Sequence, residues 1–168
     1  MIVTERLKLR PLRLDDADDM VVVLADETLY AVTGGRPPDL NALRERYDRQ
    51  AVGHSMDGTE TWHNWILRRR DDGAAIGFVQ ATLVDGTAEL AWLVGVASQG
   101  RGYATEAVRA VVDQLTADGA RTIKAHIAPG HRPSEIVAER VGLAVTDQID
   151  DGERVWALDP RDAGRRAD

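Results

Sequence analysis

The run Gln99-Gly100-Arg101-Gly102-Tyr103-Ala104-Thr105-Glu106-Ala107 is the place where residue type and spacing could do chemistry. It lies between an apolar, strand-like segment and a strongly amphipathic one. In the latter Ala104, Ala107, Val108, Val111, Val112 and Leu115 recur at helical spacing. A helix N-terminus leaves backbone N–H groups unpartnered and carries partial positive charge. Glycines just before it let an anion approach the backbone closely. Together these features describe a phosphate site. A Walker loop would need Gly-Lys-Ser/Thr where Tyr103-Ala104 stands, and a dinucleotide fingerprint would need a third glycine where Thr105 stands. Neither nucleotide motif is therefore a good match.

Composition narrows the classes. The 168 residues suit one domain with a substantial core, and 43% hydrophobic with 29% charged residues is ordinary for a globular protein. There is no cysteine, which excludes disulfides, thiolate metal sites and a cysteinyl intermediate. The four histidines are scattered without ligand spacing, so no metal is expected. A net charge of −7 argues against a nucleic-acid partner. It suits a cationic substrate and equally suits a plain solubility surface. No apolar run approaches the roughly 18–20 residues that span a bilayer. Met1-Ile2-Val3-Thr4-Glu5-Arg6 lacks a signal-peptide core, so the expectation is a cytoplasmic protein without a membrane partner.

The elements that must position the motif follow from periodicity. Thr4 to Leu12 alternates as a strand. Asp15 or Asp16 can cap a helix carrying Ala17, Met20, Val21 and Leu24. After the loop Thr33 to Pro38, a second helix is predicted from Asp39 to about Val52. Thr61–Arg69, Ala75–Val84 and Thr87–Val96 read as three strands, with turns at Asp71-Asp72-Gly73 and Asp85-Gly86. The amphipathic helix runs from Gly102 to a stop at Gly119. A strand over Thr122–Ile127 and a helix from Pro133 or Ser134 to Val141 come next. Strands Leu143–Ile149 and Glu153–Leu158 close the pattern. The predicted domain covers residues 1–158, followed by a polar tail over 159–168. The order β-α-α-β-β-β-α-β-α-β-β gives an α+β fold, a mixed sheet with helices on both faces.

With Gln99, Gly102 and Ala104 at its fixed positions, the motif resembles the pyrophosphate signature Gln/Arg-x-x-Gly-x-Gly/Ala of the GNAT acetyltransferase superfamily. The runs Ala88 to Leu93 and Gly102 to Ala107, the opening Thr4 to Pro11, and Ser134 to Leu143 are similar to its RimJ/RimL-like branch. The resemblance implies a mostly antiparallel seven-stranded sheet, splayed between its fourth and fifth strands. It implies acetyl-CoA as co-substrate, an amine acceptor (a protein or peptide N-terminus, or a small amine), and an acetyl transfer by direct attack in a ternary complex. Homodimers are common among similar proteins. A non-catalytic acyl-CoA sensor or scaffold is the rival class.

The resemblance also assigns residues. Leu93, Val94, Gly95 and Val96 would pair with the pantetheine arm. Gln99, Gly100, Arg101, Gly102, Tyr103, Ala104 and Thr105 would hold the pyrophosphate, with Arg101 either touching phosphate or solvated. Glu89 is the candidate base on the fourth strand. Its apolar neighbours suggest burial that would raise its pKa, and the competing role is an exposed or salt-bridged strand glutamate. Ser134 either reaches the CoA sulfur or caps its helix. His131 stands where the family has asparagine and could still bond the pantetheine; Ala138 stands where many members have a tyrosine acid, so that acid is absent. Trp62 and Asn64 share one face of a strand and could wall the acceptor site, with core packing as the competing role for the tryptophans. Trp92, Tyr30 and Arg36 complete the substrate candidates.

Overall fold

The computed structural model describes residues 1–160. Most of the predicted polar tail, from residue 161 onward, lies outside the described residues. Among those described, β1 (Ile2–Val3), β2 (Leu7–Pro11), β3 (Thr61–Arg69), β4 (Ala75–Val84), β5 (Thr87–Val94), β6 (Thr122–Ile127), β7 (Ala144–Asp150) and β8 (Glu153–Leu158) form one sheet. Its order is β1-β2-β3-β4-β5-β6-β8-β7. Only the β5–β6 pair is parallel. The eighth strand corrects the expected seven. Thr4 turns the chain back, its N–H reaching the Leu7 carbonyl at 2.9 Å, so Ile2–Val3 pairs with Lys8–Leu9 as a small hairpin instead of leading into one strand.

Four helices cover the sheet: α1 (Asp16–Val23), α2 (Leu40–Ala51), α3 (Tyr103–Ala117) and α4 (Arg132–Arg140). Strand alternation sorts them to two faces. Trp65, Leu67, Val79, Ala81, Ala88 and Leu90 pack with the α3 residues Val108, Val111 and Leu115 and with Val137 of α4. On the other face Ile66, Phe78 and Leu93 pack with Met20 of α1 and with Leu43 and Tyr47 of α2. No helix among the described residues is long and apolar enough to cross a membrane.

An ionic cluster pins α1 to the sheet. Asp15 occupies the N-cap position without a side-chain bond. The predicted capping role falls to Asp16 in altered form. Its fully buried carboxylate accepts the Arg13 N–H at 2.9 Å and pairs with the guanidinium groups of Arg10 and Arg68.

The feature that matters most for function is a divergence. The β5–β6 pairing runs only from Thr87↔Thr122 to Leu90↔Ala125. Beyond it, β4 holds β5 as far as Val94, and β8 holds β6 as far as Ile127. Each strand follows its other neighbour, so the sheet opens between Leu90 and the strand ends.

Candidate active site

The splay leads into a groove of about 790 Å3, bounded by β5, the start of α3, the start of α4 and residues 28–33. The start of α3 forms the end suited to an anion. Gly100 (φ +73) and Gly102 (φ +80) adopt the left-handed conformation that a side chain disfavours. A β-carbon on Gly100 would find nothing within 4 Å, so the chain's own packing does not demand that glycine. The N-cap position, Gly102, makes no side-chain cap bond, and Glu106 is the first residue whose N–H turns back to it, at 3.0 Å. The N–H groups of Tyr103, Ala104 and Thr105 are therefore those that an α-helix leaves open, and all three residues line the groove. Gln99 and Gly100 line it as well. The Gln99 side-chain amide is spent on the Val94 carbonyl at 2.9 Å, tying this loop to the end of β5. Arg101 is exposed and does not line the groove. The cationic side chains that do are Arg140 and Arg132, the latter paired with Glu135 and Glu139; both belong to α4, and no sequence motif singles them out.

Glu106 fixes this helix start. Its carboxylate accepts from the Thr4 hydroxyl at 2.6 Å, the Arg6 N–H at 2.8 Å and the Arg6 guanidinium at 2.7 Å. That guanidinium also lies over the Tyr103 ring, 4.6 Å from its centroid. Burial by itself would raise this carboxyl, yet the bonds from Thr4 and Arg6 outweigh it and hold it below the usual carboxylate range. A depressed folded-state pKa gives stability that is present above the unfolded value and lost as pH falls through the folded one. We therefore expect Glu106→Gln to cost about 1.5–3 kcal/mol at pH 7. The difference from wild type should shrink as pH drops below the unfolded carboxylate value. Urea melts of both proteins at several pH values check this, and a pH-independent difference would refute it.

The β5 wall is shorter than expected. Leu93 and Val94 line the groove, whereas Gly95 and Val96 do not. After Val94 the chain enters a 3-10 turn over Val96–Ser98, with Gly95 N–H bonded to the Ile76 carbonyl at 2.8 Å. Gly95 is closely approached from α1 instead: a β-carbon there would lie 2.8 Å from Val23 Cγ1. The sequence reading missed Gly77, where a β-carbon would lie 2.1 Å from the Leu93 carbonyl oxygen. Ser134 and His131 both line the groove. His131 holds the N-cap position, without a side-chain cap bond, and Ser134 sits within the first turn of α4, so Ser134 is not the N-cap residue. Ala138 is fully buried in the core.

The remaining candidates divide between the two faces. Register places Trp62, Thr82, Glu89 and Lys124 in one row across β3, β4, β5 and β6, on the face that α1 and α2 leave open beyond β4. Asn64, Gln80 and Ala91 form the next row. The structure thus brings Glu89, Trp62 and Asn64 onto one polar face. The expected burial of Glu89 is not found. Its side chain is 44% exposed, and its carboxylate meets Lys124 Nζ at 3.1 Å. The Trp62 indole N–H donates to Glu60 at 2.8 Å. Asn64 lines a separate cavity of about 270 Å3 against α2. Trp92 belongs to the opposite face, packed beside the α3 and α4 core, and lines the groove there. Tyr30 and Arg36 do not line the groove. The Tyr30 hydroxyl instead donates to the Leu24 carbonyl at 3.0 Å, anchoring the segment whose neighbours Thr28, Leu29, Val32 and Thr33 do line it.

Comparison with known proteins adds a family and a fold. Residues 6–144 match the family described as the acetyltransferase (GNAT) domain. A curated relative, the uncharacterized N-acetyltransferase p20 of Bacillus licheniformis, is 28% identical over 137 residues, 79% of this chain and 76% of its own length. Among solved structures, the aminoglycoside acetyltransferase AAC(6')-Ib in complex with coenzyme A superposes with a TM-score of 0.78 at 19% identity, covering 96% of this chain and 99% of its own. The ribosomal L7/L12 alpha-N-protein acetyltransferase RimL, in complex with coenzyme A, superposes with a TM-score of 0.77 at 12% identity, covering 94% and 96%.

Proposed function

The chain belongs to the GNAT acetyltransferase domain family, and on that premise we propose that it transfers the acetyl group of acetyl-CoA to a primary amine. It would act as one domain over residues 1–158, in the cytoplasm, within the RimJ/RimL-like branch. One observation carries the proposal: the open start of α3 and the splay of β5 from β6 form two ends of a single groove. The residues present fit the co-substrate. The free N–H groups of Tyr103, Ala104 and Thr105, behind the two left-handed glycines, suit a pyrophosphate. Arg132 and Arg140 suit further phosphate. The unpaired edge of β5 beyond Leu90 offers backbone groups to an extended amide-bearing arm.

Bound acetyl-CoA supplies an acyl carbon activated by its thioester. Backbone N–H groups on the free edge of β5 would meet the negative charge that develops on the carbonyl oxygen. The Ser134 hydroxyl, already in the groove, would donate to the departing sulfur. An acceptor ammonium must lose a proton before it attacks. The polar face around Glu89 supplies negative charge for that step, with Trp62 in the same row of the sheet; Asn64, against α2, stands further off. The acceptors named for AAC(6')-Ib and RimL belong to those proteins. For this chain a peptide N-terminus and a small amine both remain candidates.

Thermal unfolding with acetyl-CoA, CoA, ATP and NAD tests the proposal. A ligand at about 100 times its dissociation constant should stabilise by roughly 2.7 kcal/mol, and thus raise the midpoint by several degrees for a domain of this size. Protection by both CoA forms but not by ATP or NAD is the expected result. No shift with either CoA form would sink the proposal.

A further inference from the structure

We infer that the proton removed from the acceptor ammonium passes to His126, and that Glu89 acts through this imidazole instead of on the amine directly. The inference rests on the acetyl-transfer proposal above and concerns its chemical step.

Position is the first reason. His126 is the first residue of β6 beyond the last β5–β6 pair, Leu90↔Ala125, so it stands where the sheet opens. It lines the groove, and Glu89 does not. Alternation along β6 turns His126 to the same face as Lys124, hence to the face of Glu89. Exposure is the second reason. The imidazole is 18% exposed against 44% for the Glu89 carboxylate, and that carboxylate already has Lys124 as a partner at 3.1 Å. The carboxylate is already engaged and stands off the groove, whereas the imidazole stands in the cleft where an acceptor nitrogen would approach.

Charge is the third reason. Nδ1 of His126 lies 3.6 Å from Glu89 Oε1, and Nε2 lies 3.9 Å from Asp150 Oδ2. Both distances exceed a hydrogen bond, so either nitrogen is free to accept a proton. Both are short enough for the carboxylates to stabilise the imidazolium that results. The charged groups around the ring are Glu89 from β5, Asp150 from β7, Lys124 on its own strand and Glu153 of β8 on the groove wall.

The step balances. One N–H proton of the ammonium moves to the imidazole. The freed lone pair attacks the acetyl carbon, a C–N bond forms, and the C–S bond breaks with its electron pair leaving on sulfur. A second nitrogen proton passes to that sulfur, giving the amide and the free thiol. The imidazolium then returns its proton to water.

The test uses the full chain with spermidine, an aminoglycoside and a tripeptide with a free N-terminus as probe acceptors. Thiol release is followed from pH 5.5 to 9 for wild type, His126→Gln and Glu89→Gln. For His126→Gln we expect kcat to fall by roughly 100-fold, with the acetyl-CoA thermal shift intact as evidence of folding. We also expect it to lose the acid-side fall of kcat/KM. Glu89→Gln should keep that fall while lowering kcat by less than His126→Gln does. If Glu89→Gln abolishes the acid limb while His126→Gln preserves it, the carboxylate takes the proton directly and the inference is overturned. A wild-type chain stabilised by acetyl-CoA that acetylates none of the probes would instead overturn the transfer proposal, a result distinguishable from failure of the histidine alone.

Discussion

Replacing Asp16 with alanine lowers the unfolding free energy by about 3–5 kcal/mol, the range found when one partner of a buried ion pair is removed. Asp16 has no exposed surface, and three donors converge on its carboxylate: Arg10, Arg68 and the Arg13 N–H. The two guanidinium groups are themselves mostly covered, at 23% and 22% exposure. Without Asp16 their charge has lost its counterion inside the α1–sheet seam. Arg68 retains Asp19 at 2.7 Å, but that carboxylate is largely solvated and compensates poorly. Asp16→Asn keeps an acceptor without the charge and should fall between wild type and alanine. Asp16→Ala combined with Arg68→Met should recover part of the loss, since the cost lies in the stranded cation. Urea titrations with unchanged m-values would report these differences as shifts in midpoint. A loss below about 1 kcal/mol for Asp16→Ala would mean the cluster behaves as a surface ion pair.

Asp16 also illustrates what the sequence could and could not express. An Asp15-Asp16 pair ahead of Ala17 and Met20 announces a helix start, and the start is there. Which carboxylate is buried depends on Arg68, fifty-two positions away, and no local pattern carries that. The same division recurs at the site. The glycine-rich loop and the amphipathic α3 were legible because their physics is local: left-handed glycines, free N–H groups and an apolar stripe. The family resemblance of Thr4 to Pro11 had no visible cause in the sequence. The structure supplies one, since Thr4 and Arg6 bind Glu106 and hold the start of α3. The splay arises from a competition between neighbouring strands, a property of the whole sheet, so its exact edge escaped prediction. Val96 lies past the end of β5, in the 3-10 turn Val96–Ser98. The sequence neighbours of Glu89, Ala88 and Leu90, are apolar. In a strand those neighbours point to the other face, and burial of Ala88 and Leu90 says nothing of Glu89. His126 carries no signal in the sequence, where it is one of four scattered histidines, because only the β5–β6 register brings it beside Glu89.

Gly77→Ala should be as damaging as the loss of Asp16 and should also disable the groove. The β-carbon would lie 2.1 Å from the Leu93 carbonyl oxygen and 3.0 Å from Val94 Cα. Both atoms are backbone, so no rotamer change relieves the clash, and β4 must move away from β5. The Gly77↔Val94 pair is the last rung of that ladder, and the Gly95 N–H bond to Ile76 follows directly on it. Overpacking of this severity costs about 3 kcal/mol or more, which corresponds to roughly 6–12 °C in Tm for a domain of this size. Leu93 and Val94 wall the groove, so the acetyl-CoA-induced shift should shrink as well. Gly100→Ala provides the contrast. Open space surrounds that position, and its φ of +73 costs an alanine only about 1–2 kcal/mol. Its methyl group, however, intrudes where a phosphate would sit against the α3 start. Gly100→Ala should therefore lose most of the acetyl-CoA shift from a baseline lowered by roughly 2–8 °C, whereas Gly77→Ala loses more of the baseline first. If Gly77→Ala melts within about 2 °C of wild type, the end of β5 is not held against β4 in the way that defines this groove. If Gly100→Ala keeps the full acetyl-CoA shift, the glycine loop does not contact the phosphates.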